Sequence, residues 1–362
     1  MRSVLLCTLA LALVACGGSS GTQSPNDSGS GDNDAATDAG DDDAGSSDAG
    51  TSDGGPSAGR FFPDGAWMYQ DISDAGVNTE SKAITDWLAN NGSWGTGKLQ
   101  IDTSIEVLTA VSSTPLLDFQ ASSDFYSPDC DHVKMPVPVG GNLEGESGYD
   151  CTQDGDCHLL VVDGRTNQLF EMWRADFTGG TFNGGCLAVW DMTRVYGPEG
   201  RGEQCTSADA AGFPISPLLF TADEVAAGHI DHAIRFILPN ARMRKKTYVH
   251  PGTHAGGPSA TGTAPVYGSR WRLKPGFDMS RLPNEAARTV ARALQKYGMA
   301  LADGGNIAFT ARSDQRTTHK WSGLLGSHDL QAIVPGDFEV LDTGTVTTLT
   351  FDCTRTPLGV RP

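Results

Sequence analysis

Beyond residue 60 the chain runs in short apolar or alternating stretches cut by Gly, Pro, Asn and Asp. HLLVVD (158–163), QLFEMW (168–173), CLAVWDM (186–192), AIRFIL (233–238), SRWRLK (269–274) and TVTTLTFD (345–352) each carry the length and the β-branched or aromatic content of a strand. VDGRTNQLF (162–170) predicts a hairpin turning through 164–167, which places His158 and Glu171 near opposite ends of paired strands, where they meet. Helical spacing is confined to a few segments. Ile84, Trp87 and Leu88 share a face over 79–90, and Val290, Ala293, Leu294 and Tyr297 share one over 284–297. The second follows Pro283, has Glu285 in its first turn and stops at Lys296–Gly298. TADEVAAG (221–228) predicts a short helix with a Thr221/Glu224 capping box and Gly228 as its stop. With 45 Gly and 19 Pro supplying turns, the fold class expected is mainly β: an antiparallel sandwich or distorted barrel with two or three peripheral helices.

GHIDHAIRF (228–236) is unusual among the predicted strands because it holds two histidines, an aspartate and an arginine. In an extended segment, alternation puts Ile230, His232, Ile234 and Phe236 on one face, and His229, Asp231, Ala233 and Arg235 on the other. His232 then sits on the apolar face, and Arg235 pairs with Asp231 at the surface.

The N-terminus has a different pattern. Met1-Arg2 precedes the apolar run VLLCTLALALVA, which has the charged start and small-residue exit of an export signal and is too short for a comfortable bilayer span. Leu13-Val14-Ala15-Cys16 resembles the lipobox of bacterial lipoproteins, which implies cleavage before Cys16 and lipid on that residue. Gly17 at the next position resembles the enterobacterial signal for outer-membrane sorting. Residues 17–59 hold Gly, Ser, Ala, Thr and nine Asp, with DAG recurring and no aromatic residue. That composition builds no core and reads as a disordered tether, about 35 Å or more in reach. The expected organisation is a signal peptide over 1–15, a lipidated Cys16 with its tether over 16–59, and one β-rich domain over 60–362. Expected partners are the membrane, through the lipid on Cys16, and a polysaccharide, with the chain itself a monomer at the cell surface.

The formal charge is −18, and setting aside Arg2 and the nine tether aspartates leaves 25 basic against 35 acidic residues, or −10. Nucleic acid is therefore not an expected partner, since no basic stripe exists to meet phosphates. With Cys7 in the signal and Cys16 lipidated, Cys130, Cys151, Cys157, Cys186, Cys205 and Cys353 remain for up to three disulfides in an exported chain. Proximity suggests Cys151 with Cys157 and Cys186 with Cys205, leaving Cys130 for Cys353. The absence of CxxC weighs against zinc.

Several segments resemble a widespread group of secreted bacterial proteins: Ser207-Ala208-Asp209-Ala210-Ala211-Gly212-Phe213-Pro214-Ile215, Asp223-Glu224-Val225-Ala226-Ala227-Gly228 and His232-Ala233-Ile234-Arg235-Phe236. The element Asp156-Cys157-His158-Leu159-Leu160-Val161-Val162-Asp163 precedes them. Tyr297-Gly298-Met299-Ala300-Leu301-Ala302-Asp303-Gly304-Gly305 and Gly336-Asp337-Phe338-Glu339 follow. The resemblance implies a grouping and carries no activity with it. One departure is Thr253, which stands before His254 where the group tends to have Arg.

The chemistry therefore rests on individual side chains. Candidate catalytic groups are Glu171, whose carboxyl among Phe170, Met172 and Trp173 would hold a proton if buried, Asp209 in a Gly- and Pro-bounded loop, His232 as a general base, and His158. Candidate substrate-binding groups are Arg235, His254 and Asp303. Each has a structural alternative: an outward strand position for Glu171, an Asx-turn for Asp209, a satisfied core position for His232, and a capping box for Glu224, its candidate orienting partner along with Asp209. His158, His232 and His254 together suggest at most a weak metal site, and no metal or other cofactor is assigned. GxSxG strings fall only in the low-complexity stretch 17–59, with no strand-turn-helix pattern to make an elbow, and no phosphate loop or dinucleotide fingerprint occurs. Seven tryptophans on a β scaffold suggest stacking platforms for sugars, and paired carboxylates suit glycoside cleavage. The first expectation is thus a polysaccharide-active enzyme, a hydrolase or lyase. The alternative is a non-catalytic surface lipoprotein that binds glycan or envelope.

Overall fold

The structure, a computed structural model, describes residues 60–153 and 155–361. The expected signal peptide, lipidation at Cys16 and tether all fall outside these residues. The described fold is mainly β with three α-helices: α1 (Ser81–Asn90), α2 (Ala222–Ala227) and α3 (Glu285–Lys296). No helix among the described residues is long and apolar enough to cross a membrane.

Ten strands form the two larger sheets: β1 (Ile101–Ile105), β2 (Val107–Thr109), β3 (Leu159–Asp163), β4 (Gln168–Trp173), β5 (Cys186–Asp191), β6 (Ile234–Leu238), β7 (Arg270–Leu273), β8 (Met299–Gly304), β9 (Phe309–Arg312) and β10 (Phe338–Val340). The six-stranded sheet has the order β1–β9–β6–β8–β7–β10, and the four-stranded sheet has the order β2–β3–β4–β5. Parallel pairs (β1 with β9, β6 with β8, β2 with β3) are interspersed among antiparallel ones. The chain crosses between the sheets at Glu106, which is buried beside Arg312, Nη2 to Oε1 being 3.5 Å.

Local chemistry accounts for most of these elements. β3 and β4 form the expected hairpin, with Leu160 opposite Glu171 and Asp163 opposite Gln168. α2 has its capping box, and Gly228 ends it at φ 82°. α3 starts where the Asn284 side chain accepts from the Ala287 N–H, and it lays Ala287, Val290, Ala291 and Leu294 into the core of the six-stranded sheet. Within that core Trp94, Phe236, Trp271 and Phe338 interlock with ring centroids 5.6–6.2 Å apart. Full burial of a side chain of Phe size contributes about 1.5–3 kcal/mol. Trp94, Trp190 and Trp271 are consequently core residues and present no surface for a sugar.

Three expectations are corrected. The strand foreseen over 228–236 begins only at Ile234, because the Ala233 N–H is drawn to the Met68 carbonyl (2.7 Å). Of TVTTLTFD only Thr347–Thr348 is strand. The disulfides are Cys130–Cys186, Cys151–Cys157 and Cys205–Cys353, so only the middle pair follows sequence proximity. Cys130 meets Cys186 because the chain at 131 runs beside β5, where Asp131 N–H donates to the Leu187 carbonyl (2.8 Å).

Candidate functional site

The loop 205–215 is held by its own short polar residues. The Ser207 hydroxyl accepts from the Asp209 N–H (3.0 Å) and donates to the Phe213 carbonyl (2.6 Å), making the local turn that Asp209 was a candidate to make. Gly212 sits at φ +82°, and a Cβ there would lie 2.1 Å from Thr253 Oγ1, so the position demands glycine twice over. Thr253 donates to the Cys205 carbonyl (2.8 Å), fastening this loop where a long arginine would not fit.

The Asp209 side chain is thereby left free to face β6. Arg235 is not at the surface with Asp231; it is buried, and donates through Nε (3.0 Å) and Nη2 (2.8 Å) to Asp209 Oδ1 and through Nη2 to Asp303 Oδ2 (3.0 Å). Asp209 Oδ2 has no hydrogen-bond donor among the described residues. Burial pushes the Asp209 carboxyl well above the usual range, Arg235 opposes this, and the neighbouring Asp303 raises it further. Burial also raises Asp303, against Arg235 and with Asp156 adding to the rise. Two carboxyls raised by burial beside a single guanidinium do not both ionise readily, which favours one of them keeping its proton. The trio is then close to neutral, the state that costs least to bury.

His158 and Glu144 flank this floor. His158 Nδ1 lies 2.6 Å from Glu144 Oε2, and Nε2 lies 3.1 Å from the Ala208 carbonyl. With an acceptor at each nitrogen the ring is an imidazolium: burial disfavours that charge, but Glu144 outweighs it and lifts the pKa to about 9. Burial pushes Glu144 up, and His158 pulls it below its ordinary value. His158 thus anchors the Asp209 loop as a fixed cation and has no lone pair to act as a base.

Two further candidates lie away from the opening. Glu171 is fully buried and accepts from Ile215 N–H (3.0 and 2.9 Å), Ser216 N–H (2.7 Å), Ser216 Oγ (2.8 Å) and Trp190 Nε1 (3.1 Å). Burial raises its pKa, yet its oxygens are saturated, so it ties β4 to the 215–216 turn. His232 has Nδ1 2.8 Å from the Ala233 carbonyl and Nε2 3.2 Å from Glu224 Oε1, beside the capping box rather than the floor. Burial lowers its basicity, and Glu224 more than restores it. The three histidines do not assemble into a metal site, since both nitrogens of His158 and His232 are committed.

Above the floor opens a cleft of about 670 Å³, lined among others by Asp129, Asp156, Asp303, His254 and Tyr267, with Phe125, Tyr126, Trp173 and Phe351 as aromatic walls. The Asp303 side chain is 17 % exposed and reaches this space. His254 Nδ1 is 3.0 Å from the Ala210 carbonyl, which fixes the tautomer with Nε2 unprotonated, and burial holds its pKa below the ordinary value. Tyr267 is buried beneath, and its hydroxyl has no partner among the described residues. The cleft therefore unites a carboxyl whose pKa burial raises with an imidazole whose pKa burial lowers. Of the sequence candidates, Asp303 and His254 line it, Asp209 and Arg235 support it, His158 braces it, and Glu171 and His232 take no part. The segments around Asp156, Asp209, Arg235 and Asp303 that were quoted for the resemblance meet here. Glu144, Asp129 and Tyr267 escaped notice because they sit in irregular loops with no periodicity to single them out.

No protein-family model, curated protein sequence or solved structure matches the chain.

Proposed function

We propose that the domain is a glycan-cleaving hydrolase held at the bacterial surface by a lipid on Cys16. The observation that carries this reading is the pairing of Asp303 and His254 in one aromatic-walled cleft, with burial moving their proton affinities in opposite directions. Environments that push two titratable groups apart in this way assign an acid and a base. Asp303 donates the proton it shares with Asp209 to the glycosidic oxygen as that bond breaks. His254 Nε2 takes a proton from the water whose oxygen bonds to the anomeric carbon, and the imidazolium then returns its proton to solvent while the acid pair regains one. Trp173, Tyr126 and Phe351 supply faces on which pyranose rings stack.

A lyase is the weaker of the two expectations. It needs a cation to hold a uronate carboxylate, yet no Lys or Arg lines the cleft and Arg235 is buried under two carboxyls. The reading is tested by reducing-end release from a panel of neutral, amino and uronate polysaccharides, with the full-length chain and its Asp303→Asn and His254→Ala variants. Each variant is expected to lose about 10²–10⁴ in kcat, the usual range for removing an acid or base. The wild-type rate is expected to be bell-shaped in pH, falling on the acid side as His254, whose pKa burial lowers, takes up a proton, and on the alkaline side as Asp303, whose pKa burial raises, loses its own. Binding of a glycan with no release at any pH overturns the enzyme and leaves a non-catalytic glycan-binding lipoprotein.

A further inference from the structure

We propose that the cleft recognises a protonated amine, so that the sugar chain it takes carries free amino groups; this rests on the hydrolase reading for turnover but not for binding. Three aspartates line the cleft, Asp129, Asp156 and Asp303, and no Lys or Arg does. Asp129 and Asp156 are each positioned through one oxygen: Oδ1 of Asp129 accepts from the Thr206 N–H (2.8 Å), and Oδ1 of Asp156 accepts from Trp173 Nε1 (3.0 Å). Neither forms an ion pair with any cation among the described residues, and the second oxygen of each is left for a ligand. The nearby guanidiniums are engaged elsewhere, Arg235 by Asp209 and Asp303, and Arg355 by Asp131.

A separate observation points the same way. Tyr267 is 0 % exposed, lines the cleft, and has a hydroxyl with no partner. A buried hydroxyl left unmatched is costly, so the site is complete only when a ligand polar group meets it. Trp173 and Phe351 each already carry a cation of the chain over the ring, Arg174 at 4.9 Å and Lys246 at 5.6 Å, which leaves Phe125 and Tyr126 as the rings on which an ammonium can rest. An N-acetylated sugar has neither the charge for the aspartates nor the compact ammonium for the rings, and a uronate meets the like charges of Asp129 and Asp156.

The test uses the Asp303→Asn variant of the full-length chain, which keeps Asp129 and Asp156 and does not consume its ligand. Titration calorimetry compares a fully deacetylated glucosamine hexamer, the N-acetylglucosamine hexamer and a glucose hexamer. The deacetylated hexamer is expected to bind at least ~10-fold tighter than either, with that preference weakening as salt rises and shrinking to within about 3-fold in Asp156→Asn. Tyr267→Phe, judged folded by its melting temperature, is expected to lose affinity for all three. Equal affinity for the three hexamers overturns the inference. Hydrolysis of glucose chains without an amine preference sinks the inference and spares the hydrolase, whereas tight amine binding without hydrolysis by the wild type does the reverse.

Discussion

His158 gives the sharpest quantitative test of the floor. Its folded pKa is about 9, and an unfolded histidine titrates near 6.5. Because the folded value is the higher one, the Glu144 partnership stabilises the protein fully below about 6.5, and that stabilisation disappears as pH rises through 9. Each pKa unit corresponds to about 1.4 kcal/mol, so the gap amounts to roughly 3 kcal/mol. The side chain is 2 % exposed, so solvent screening removes little of it. The perturbation is His158→Gln, which keeps a hydrogen-bonding group and discards the titration. Guanidinium unfolding of wild type and variant is measured at pH 6.0 and pH 9.5, and the difference between the two proteins isolates the coupled His158–Glu144 pair from the groups it does not touch. Wild type is expected to lead by several kcal/mol at the lower pH and to lose about 3 kcal/mol of that lead at the higher. A lead that stays constant across the two pH values refutes the imidazolium assignment.

Two other expectations follow from geometry already given. Glu171→Gln turns one of its oxygens into a donor facing Trp190 Nε1 and the Ile215 N–H, and should cost about 1–3 kcal/mol in a denaturant titration while turnover per folded molecule stays unchanged. Removing Cys205–Cys353, which closes 148 residues, should cost about 5 kcal/mol on the chain-entropy account, and removing Cys151–Cys157, which closes 6, about 2 kcal/mol. Equal losses in paired Cys→Ser variants would count against that account, and a non-reducing peptide map should recover Cys130 linked to Cys186.

Where a feature is local, the sequence was sufficient to read it. The β3–β4 hairpin needs only its turn residues and flanking strands, and α2 needs only Thr221, Glu224 and Gly228. The fold class followed from the same short runs and turns. What escaped depends on contacts across the chain. Arg235 meets Asp209 at 26 residues' separation and Asp303 at 68, and nothing in the alternation of GHIDHAIRF signals a buried arginine. That segment has a strand's pattern, but Met68 takes its backbone at 233 before Gly298 takes it at 234. Two of the three expected cysteine pairs failed for the same reason, since Cys186 joins Cys130 at a separation of 56 and Cys205 joins Cys353 at 148, while the local pair Cys151–Cys157 was legible. Glu171 was read as a proton donor from its apolar flanks; the same flanks suit a carboxylate gathering backbone donors, and only the position of 215–216 decides between them.

The crosslink between Cys205 and Cys353 joins both lips of the cleft. Cys205 leads directly into Thr206 and Ser207 on one side, and two residues before Cys353 stands Phe351, 58 % exposed, its ring centroid 5.7 Å from that of His254. The mouth is thus pinned by a covalent bond between two stretches 148 residues apart. A chain kept reduced holds these two stretches together by hydrogen bonds alone, such as that from the Thr350 N–H to Gln204 Oε1 (2.7 Å), so the redox state of the compartment bears on the shape of the mouth and on stability together.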